Sequence, residues 1–545
     1  MAQQRDGRRP SDTRQTDAAP TVYRRVENPA FSAVSGGLTR EQRQARARRK
    51  QALLAQKRRR RRRLLLAVLM IVIIAVGFVV IKKLNGSFGV NTDGAMDDLD
   101  IGDLDDEAED NLYTGPEVAT IAFVGEISVS ADQVRAATRL DNTYDFETPF
   151  ADVRDYFSSD SVAYAVGSLE TTIVNDLPYG TEPYYNAPVQ LAGGLRRIGF
   201  RLMSTATTSA LNNGVNGVTS TLDYLAASKL RAVGTYASQE DRDRDGGAYI
   251  RKIHHIKFAF LSYTKGTDSV TMPEGCEYAL NTLYTDYADY WSDLRASQIR
   301  SDVQAAKDAG AEVIVALVHW GSEYNRAVSD GQREVAQLMM ENGVDVIIGC
   351  HSHLVSQMGF ETVQRNDGSQ KQCFVAYGLG DFYTDPEDPR GQQSMILNLE
   401  FSRGEDGAVT ITGANYIPTY LYVYEEDGIR KFAVLDVYRN LAELKRQEMT
   451  SQRAELLNAL LDTIDTMHNY GGVEMDVGPA DQDRRIVQKA IDEGEISALE
   501  IQDMKRAESD AAARAAREEA ERRAQEAEAQ AEESGEDAPE PTGGG

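Results

Sequence analysis

The chain has 545 residues, 85 acidic against 59 basic side chains, a net charge of −26, 41% hydrophobic and 26% charged residues. That is enough for one large or two medium domains and excludes a mini-protein. Three cysteines (Cys276, Cys350, Cys373) without CxxC spacing exclude a disulfide framework and a structural zinc site of the usual pattern, and the acidic excess excludes a protein that coats nucleic acid.

The average charge hides an asymmetry. Residues 1–63 hold 19 Lys/Arg and 5 Asp/Glu, a net of +14, so the remainder carries −40. Residues 1–57, rich in Arg, Gln and Ser, cannot build a core and read as a disordered basic cytoplasmic segment. Next, 58–83 reads as a transmembrane anchor: Leu64 to Ile81 is 18 residues without a charge, spanning roughly 27 Å as a helix. Arg58 to Arg63 precede it and only Lys82 and Lys83 follow. By the positive-inside rule the N-terminus is cytoplasmic and the main domain extracellular, on a single-pass cell-membrane protein. A signal peptide is disfavoured because a long polar segment precedes the apolar run and no small-residue cleavage site follows it.

Residues 84–115 are an acidic linker without helical or strand periodicity. From 116 to 440, short β-branched runs alternate with helical segments: Ala119–Val124, Ser161–Val166, Arg201–Met203, Ile256–Leu261, Val313–Val318, Val344–Ile348 and Phe374–Tyr377. Such alternation predicts an α/β fold with a buried sheet. The runs Gln393–Phe401, Ala408–Asn415 and Thr419–Tyr424 are closely spaced and alternate in polarity, which predicts antiparallel strands. Residues 441–533 read as a charged helical extension without an apolar heptad seam, and 534–545 as a disordered tail.

The chemistry concentrates at predicted strand ends. Of six histidines, three fall within 35 residues: His319 ends VIVALVHW, and His351 and His353 follow VDVIIGC. Loops after strand carboxyl ends collect ligands in α/β sheets, and imidazole suits zinc, iron and manganese. Glu126 and Glu170 also lie just past predicted strands. The plain alternatives are a packed core histidine for His319 and helix caps or ion pairs for the carboxylates. Tyr184, Tyr185 and Asn186 could line a substrate cleft, or form a loop pinned by proline. Glu323 and Arg326 could orient His319 or contact an anionic substrate, or be an exposed pair. Cys350, next to His351, could ligate a metal, but as a small buried hydrophobe at a strand end it needs no special role.

These motifs, in this order, resemble the CapA-type bacterial capsule and poly-gamma-glutamate synthesis proteins, related to the calcineurin-like metallophosphoesterases. The resemblance runs from about Ala119 to Phe382. It rests on Phe123-Val-Gly-Glu126, Ser168-Leu-Glu170, His319-Trp-Gly-Ser-Glu-Tyr324, Gly349-Cys-His-Ser-His353 and Tyr377-Gly-Leu-Gly-Asp-Phe382. It implies a metallophosphoesterase-like four-layer α/β/β/α sandwich. It also implies a role in synthesis, export or anchoring of a capsule polymer, partnered by that anionic polymer or its synthesis machinery as well as the membrane. Glu126, Glu170, His319, His351 and His353 become candidate ligands of a divalent zinc, manganese or iron ion. His319 and Glu323 become candidate catalytic residues, and Tyr185, Asn186 and Arg326 candidate substrate contacts.

The chain also departs from that pattern. The family's Asn-Asn-His aligns onto Thr207-Thr208-Ser209, the aspartate of the first motif is Glu126, and the asparagine of the last is Asp381. Thr208 is a poorer ligand than an amide carbonyl, and Ser209 is no general acid near neutral pH. Three readings therefore stay open: a metal-dependent hydrolase or transferase, a non-catalytic scaffold or binding subunit of a cell-envelope complex, and a structural envelope protein with a fossil site.

Overall fold

The computed structural model describes residues 113–469, except 160, 176, 181–184, 268–269, 289 and 448–449, together with 485–486, 488–489 and 492. The predicted basic segment and membrane anchor lie outside the described residues, as do most of the acidic linker and everything beyond 492. Among the described residues, no helix is long and apolar enough to cross a membrane.

The described strands are, in chain order, β1 (Val118–Ile127), β2 (Tyr164–Leu169), β3 (Thr172–Ile173), β4 (Asn186–Ala187), β5 (Leu202–Ser204), β6 (Arg231–Val233), β7 (Tyr249–Ile253) and β8 (Ile256–Thr264). They continue with β9 (Val313–His319), β10 (Val346–Cys350), β11 (Met358–Gln364), β12 (Gln370–Ala376), β13 (Asp381–Tyr383), β14 (Gln393–Arg403), β15 (Val409–Glu426) and β16 (Ile429–Asp436). One large sheet runs β16-β15-β14-β1-β2-β5-β6, with β13 pairing alongside β1, the other large sheet runs β11-β12-β10-β9-β8-β7, and β3 pairs with β4 apart from both.

The two sheets stack face to face. Phe123, Val166 and Leu397 of the first meet Phe258, Val315 and Ile348 of the second in one buried cluster. On the outer face of the first sheet, Leu191, Leu195 and Ile198 of the helix Gln190–Ile198 pack with Val124 and Ala165. On that of the second, Ile299 and Val303 (helix Ala296–Asp308) and Val335 and Met339 (helix Asp330–Asn342) pack with Ala316 and Ile347. The fold is thus mixed α/β, its sheets covered by helices. Parallel strands buried on both faces need continuous apolar runs, and β9, VIVALVH, is buried at every residue.

Two predicted runs near residue 415 are one strand. β15 continues for 18 residues through Pro418. Pro418 pairs with Met395 on one side, while pairing to β16 begins only at Thr419. With a neighbour on one side, the missing N–H is tolerated as at a sheet edge. The expected antiparallel pairing of β14, β15 and β16 is present. Beyond it, helices span Val437–Gln447 and Thr450–Asn469, and Leu441, Leu456, Leu457 and Leu460 pack against Tyr420 of β15.

Candidate metal centre

The carboxyl ends of parallel strands from both sheets bring the candidate residues together. Glu126 is the next-to-last residue of β1, Glu170 directly follows β2, His319 ends β9, and His351 directly follows β10. Close backbone approach makes this possible: a Cβ added at Gly125 would lie 1.8 Å from the Gly380 carbonyl, which accepts the Glu126 N–H at 3.1 Å. His351, His353 and Tyr324 have φ of 92°, 59° and 54°. Such left-handed backbone costs on the order of 1–3 kcal/mol at each non-glycine residue and collects at functional sites.

Two trios present one ligand atom each within 4.8 Å of one another: Glu126, His319 and His351, and Glu126, His353 and Asp381. Glu126 belongs to both and is fully buried. His319 Nε2 lies 2.9 Å from Glu126 Oε1 and 3.4 Å from Glu170 Oε1. His353 Nδ1 lies 3.1 Å from Glu126 Oε2 and 2.9 Å from Asp381 Oδ1, whose other oxygen accepts from Thr384 Oγ1 at 2.8 Å. Despite these distances, both Glu126 oxygens, both His319 nitrogens and His351 Nδ1 lack a hydrogen bond of proper geometry. Buried polar atoms left so are costly, and a shared cation would take one donor atom from each of Glu126, His319 and His351. Carboxylate oxygen with imidazole nitrogen is also a donor set for zinc, manganese or iron, so the residues present fit the expected ion.

The electrostatics divide the three imidazoles: the carboxylates hold protons on His319 and His353, while His351 stays neutral. Burial alone would raise the Glu126 carboxyl, but the charges of His353 and His319 outweigh it and hold it well below the usual carboxylate range. Burial raises Glu170, and the neighbouring Glu126 raises it further. Burial likewise pushes Asp381 up to about 7 against the pull of His353. Although burial would lower His319, the carboxylates of Glu170 and Glu126 lift it to about 9. Those of Asp381 and Glu126 lift His353 above its ordinary value against burial. Burial, reinforced by Lys265 and His319, drives His351 well below its ordinary value and keeps it neutral, the form in which imidazole ligates.

Glu170 stands apart from both trios: its Oε1 accepts from Thr208 Oγ1 at 2.8 Å. Thr207, Thr208 and Ser209 are all buried, at the start of a 3₁₀ turn. A cavity of about 540 Å³ opens over the cluster, with Ser130, Tyr185, Ser209, Tyr324, His353 and Arg430 in its wall. Six carboxylates line it, among them Glu170, Glu323, Asp381 and Asp385. Its guanidinium, Arg430, is bridged to Asp385 at 2.6 Å.

The remaining candidates fall in different places. Glu323 is exposed at the cavity wall, outside both trios. Asn186 is 1% exposed, and its side chain accepts from the Val174 N–H at 2.8 Å and donates to the Val174 carbonyl at 2.9 Å, tying its own loop together. Arg326 is buried against Asp462 and Gln393, outside the cavity wall. Cys350 is buried, and that burial raises its thiol well above the ordinary value, as expected of a packed side chain. Asp381 was not among the sequence candidates. Its signal was the acidic residue after Gly380 in a motif that usually has asparagine there.

Residues 120–386 match the family model described as bacterial capsule synthesis protein PGA_cap. The chain is similar to the PGA biosynthesis protein CapA of Bacillus subtilis (strain 168), 23% identical over 301 residues, covering 54% of this chain and 71% of that protein. It is also similar to the capsule biosynthesis protein CapA of Bacillus anthracis, 21% identical over 289 residues, covering 52% of this chain and 63% of that protein. Among solved structures, the NAD nucleotidase (NadN) of Haemophilus influenzae overlaps with a TM-score of 0.32 at 12% identity, over 69% of this chain and 60% of that one. A hypothetical protein from Thermus thermophilus overlaps with a TM-score of 0.30 at 12% identity, over 56% of this chain and 99% of its own. Overlaps this low carry no argument about what the chain does.

Proposed function

Because the α/β domain, through residues 120–386, belongs to the CapA-type bacterial capsule synthesis family, we propose that the chain acts in synthesis, export or anchoring of an extracellular capsule polymer such as poly-gamma-glutamate. In this reading the run Leu64–Ile81 anchors it with its N-terminus in the cytoplasm and the metallophosphoesterase-like sandwich outside. The acid-lined cavity repels a polyanion unless cations intervene, so a bound ion is part of the proposal.

The observation that carries it is the pair of trios sharing Glu126. Glu126, His319 and His351 would hold a divalent ion, and Glu126, His353 and Asp381 offer a second set of donors. A divalent ion there supplies Lewis acidity toward a carbonyl or phosphoryl oxygen. The protein's own part is to orient and shield: Thr384 fixes Asp381, Tyr324 stacks on His353 at 4.9 Å between ring centroids, and Glu126, His319 and His351 are buried.

Metal content of the purified full chain, measured by mass spectrometry after supplementation with zinc, manganese and iron, tests this. Near-stoichiometric metal is expected, lost in a still-folded His351→Ala, His353→Ala variant. A metal-free wild-type chain would overturn the metal reading. The scaffold alternative is favoured by one contact, Thr208 on Glu170, which ties up a carboxylate where the family carries asparagine and histidine. It predicts metal without turnover of phosphoester or amide substrates.

A further inference from the structure

The segment from Trp320 to Ser329, which leads from His319 to the cap of the helix Asp330–Asn342, carries Tyr324 to the cavity. It is held from one side by the loop after β10: the Tyr324 N–H donates to the Ser352 carbonyl at 2.9 Å, and Ser356 Oγ donates to the Arg326 carbonyl at 2.8 Å. From the other side, the Arg326 guanidinium reaches a distant part of the chain. Its Nη1 donates to Asp462 Oδ1 at 2.8 Å and its Nη2 to Asp462 Oδ2, a two-point contact between side chains each 5% exposed. Asp462 lies in the helix Thr450–Asn469, whose Leu456, Leu457 and Leu460 anchor it to the sheet.

A buried charge pair of this kind is weak evidence of net stability, since an apolar pair of equal volume often serves as well. Its strength is geometric: a planar fork on a carboxylate fixes both partners in direction as well as distance. Here the pair fixes a backbone that also bears Tyr324 at φ 54°, stacked on His353 with 24° between ring planes.

We propose that Asp462 is a positioning residue of the site, by which the helix Thr450–Asn469 locks the Trp320–Ser329 segment through Arg326 and so sets Tyr324 against His353. The helical extension is then part of the site's framework. The inference goes beyond the capsule reading, because it requires neither a bound metal nor turnover.

Hydrogen–deuterium exchange of the full chain in detergent micelles, followed by mass spectrometry, tests it. In Asp462→Asn, amides of residues 322–328 should exchange about tenfold faster or more, with the helix Gln190–Ile198 on the opposite face unchanged. Asp462→Glu, which keeps the carboxylate, should restore most of the protection. Unchanged exchange in the segment, or an equal rise in both regions, would overturn the proposal. If Asp462→Asn does not fold, Arg326→Lys gives up the two-point contact while keeping the charge, and unaltered segment exchange in that variant would overturn it equally.

Discussion

Gly125 decides how near two strands can come. With 1.8 Å between an added Cβ and the Gly380 carbonyl, Gly125→Ala must push β13 away from β1 and carry Asp381 off the Glu126 carboxylate. A loss of about 1–3 kcal/mol is expected, with metal affinity falling by more than the stability does; chemical unfolding and metal titration of the same preparation check both. The residues around it differ in how plainly the sequence reveals them. Glu126, His319 and His351 stand at the ends of apolar runs, so strand periodicity alone points to them. Asp381 opens a strand of three residues whose parallel pairing with β1 no local pattern announces. Arg326 looks like an exposed cation until its partner, 136 residues further on, is known.

At the scale of elements, the short turn before the helix Arg154–Phe157 is organised by one carboxylate. Burial alone would raise Asp145, but the amides of Thr148 and Glu147, with Arg139 and the Thr148 hydroxyl, pull it down to about 2 from an ordinary 3.8. A depressed carboxyl contributes stability that is complete above about 3.8 and disappears as pH falls through about 2. Asp145→Asn should therefore cost on the order of 1 kcal/mol at neutral pH, after allowance for partial exposure. Near pH 2 the difference from wild type should vanish; thermal unfolding across that window checks the sign. Strand placement was legible for the same reason the turn was not. β8, β9 and β10 are buried runs that announce themselves, whereas Asp145 acts through backbone amides, which leave no mark in residue type. The single strand β15 looks like two runs in the sequence: Pro418 between them normally interrupts a ladder, and only the register with β16 explains why it does not.

For the molecule as a whole, the division between a +14 segment and a −40 remainder bears on topology. If the anchor is oriented as proposed, protease added to intact cells should digest an epitope at the C-terminus and spare one at the N-terminus; the reverse pattern, or protection of both, would rule the orientation out. The order of strands adds a consequence for how such a chain matures. β1 lies in the middle of its sheet, yet its antiparallel neighbour is β14, with Val118 facing Ser402. A chain emerging N-terminus first must expose the unpaired edge of β1 until roughly 280 further residues have followed. Closure across so long a loop is slow, and open strand edges are sticky in the meantime. On the proposed topology, a nascent molecule tethered beside its neighbours would thus be at greatest hazard of misassembly late in its emergence, when most of the domain is already outside and its central sheet is still open.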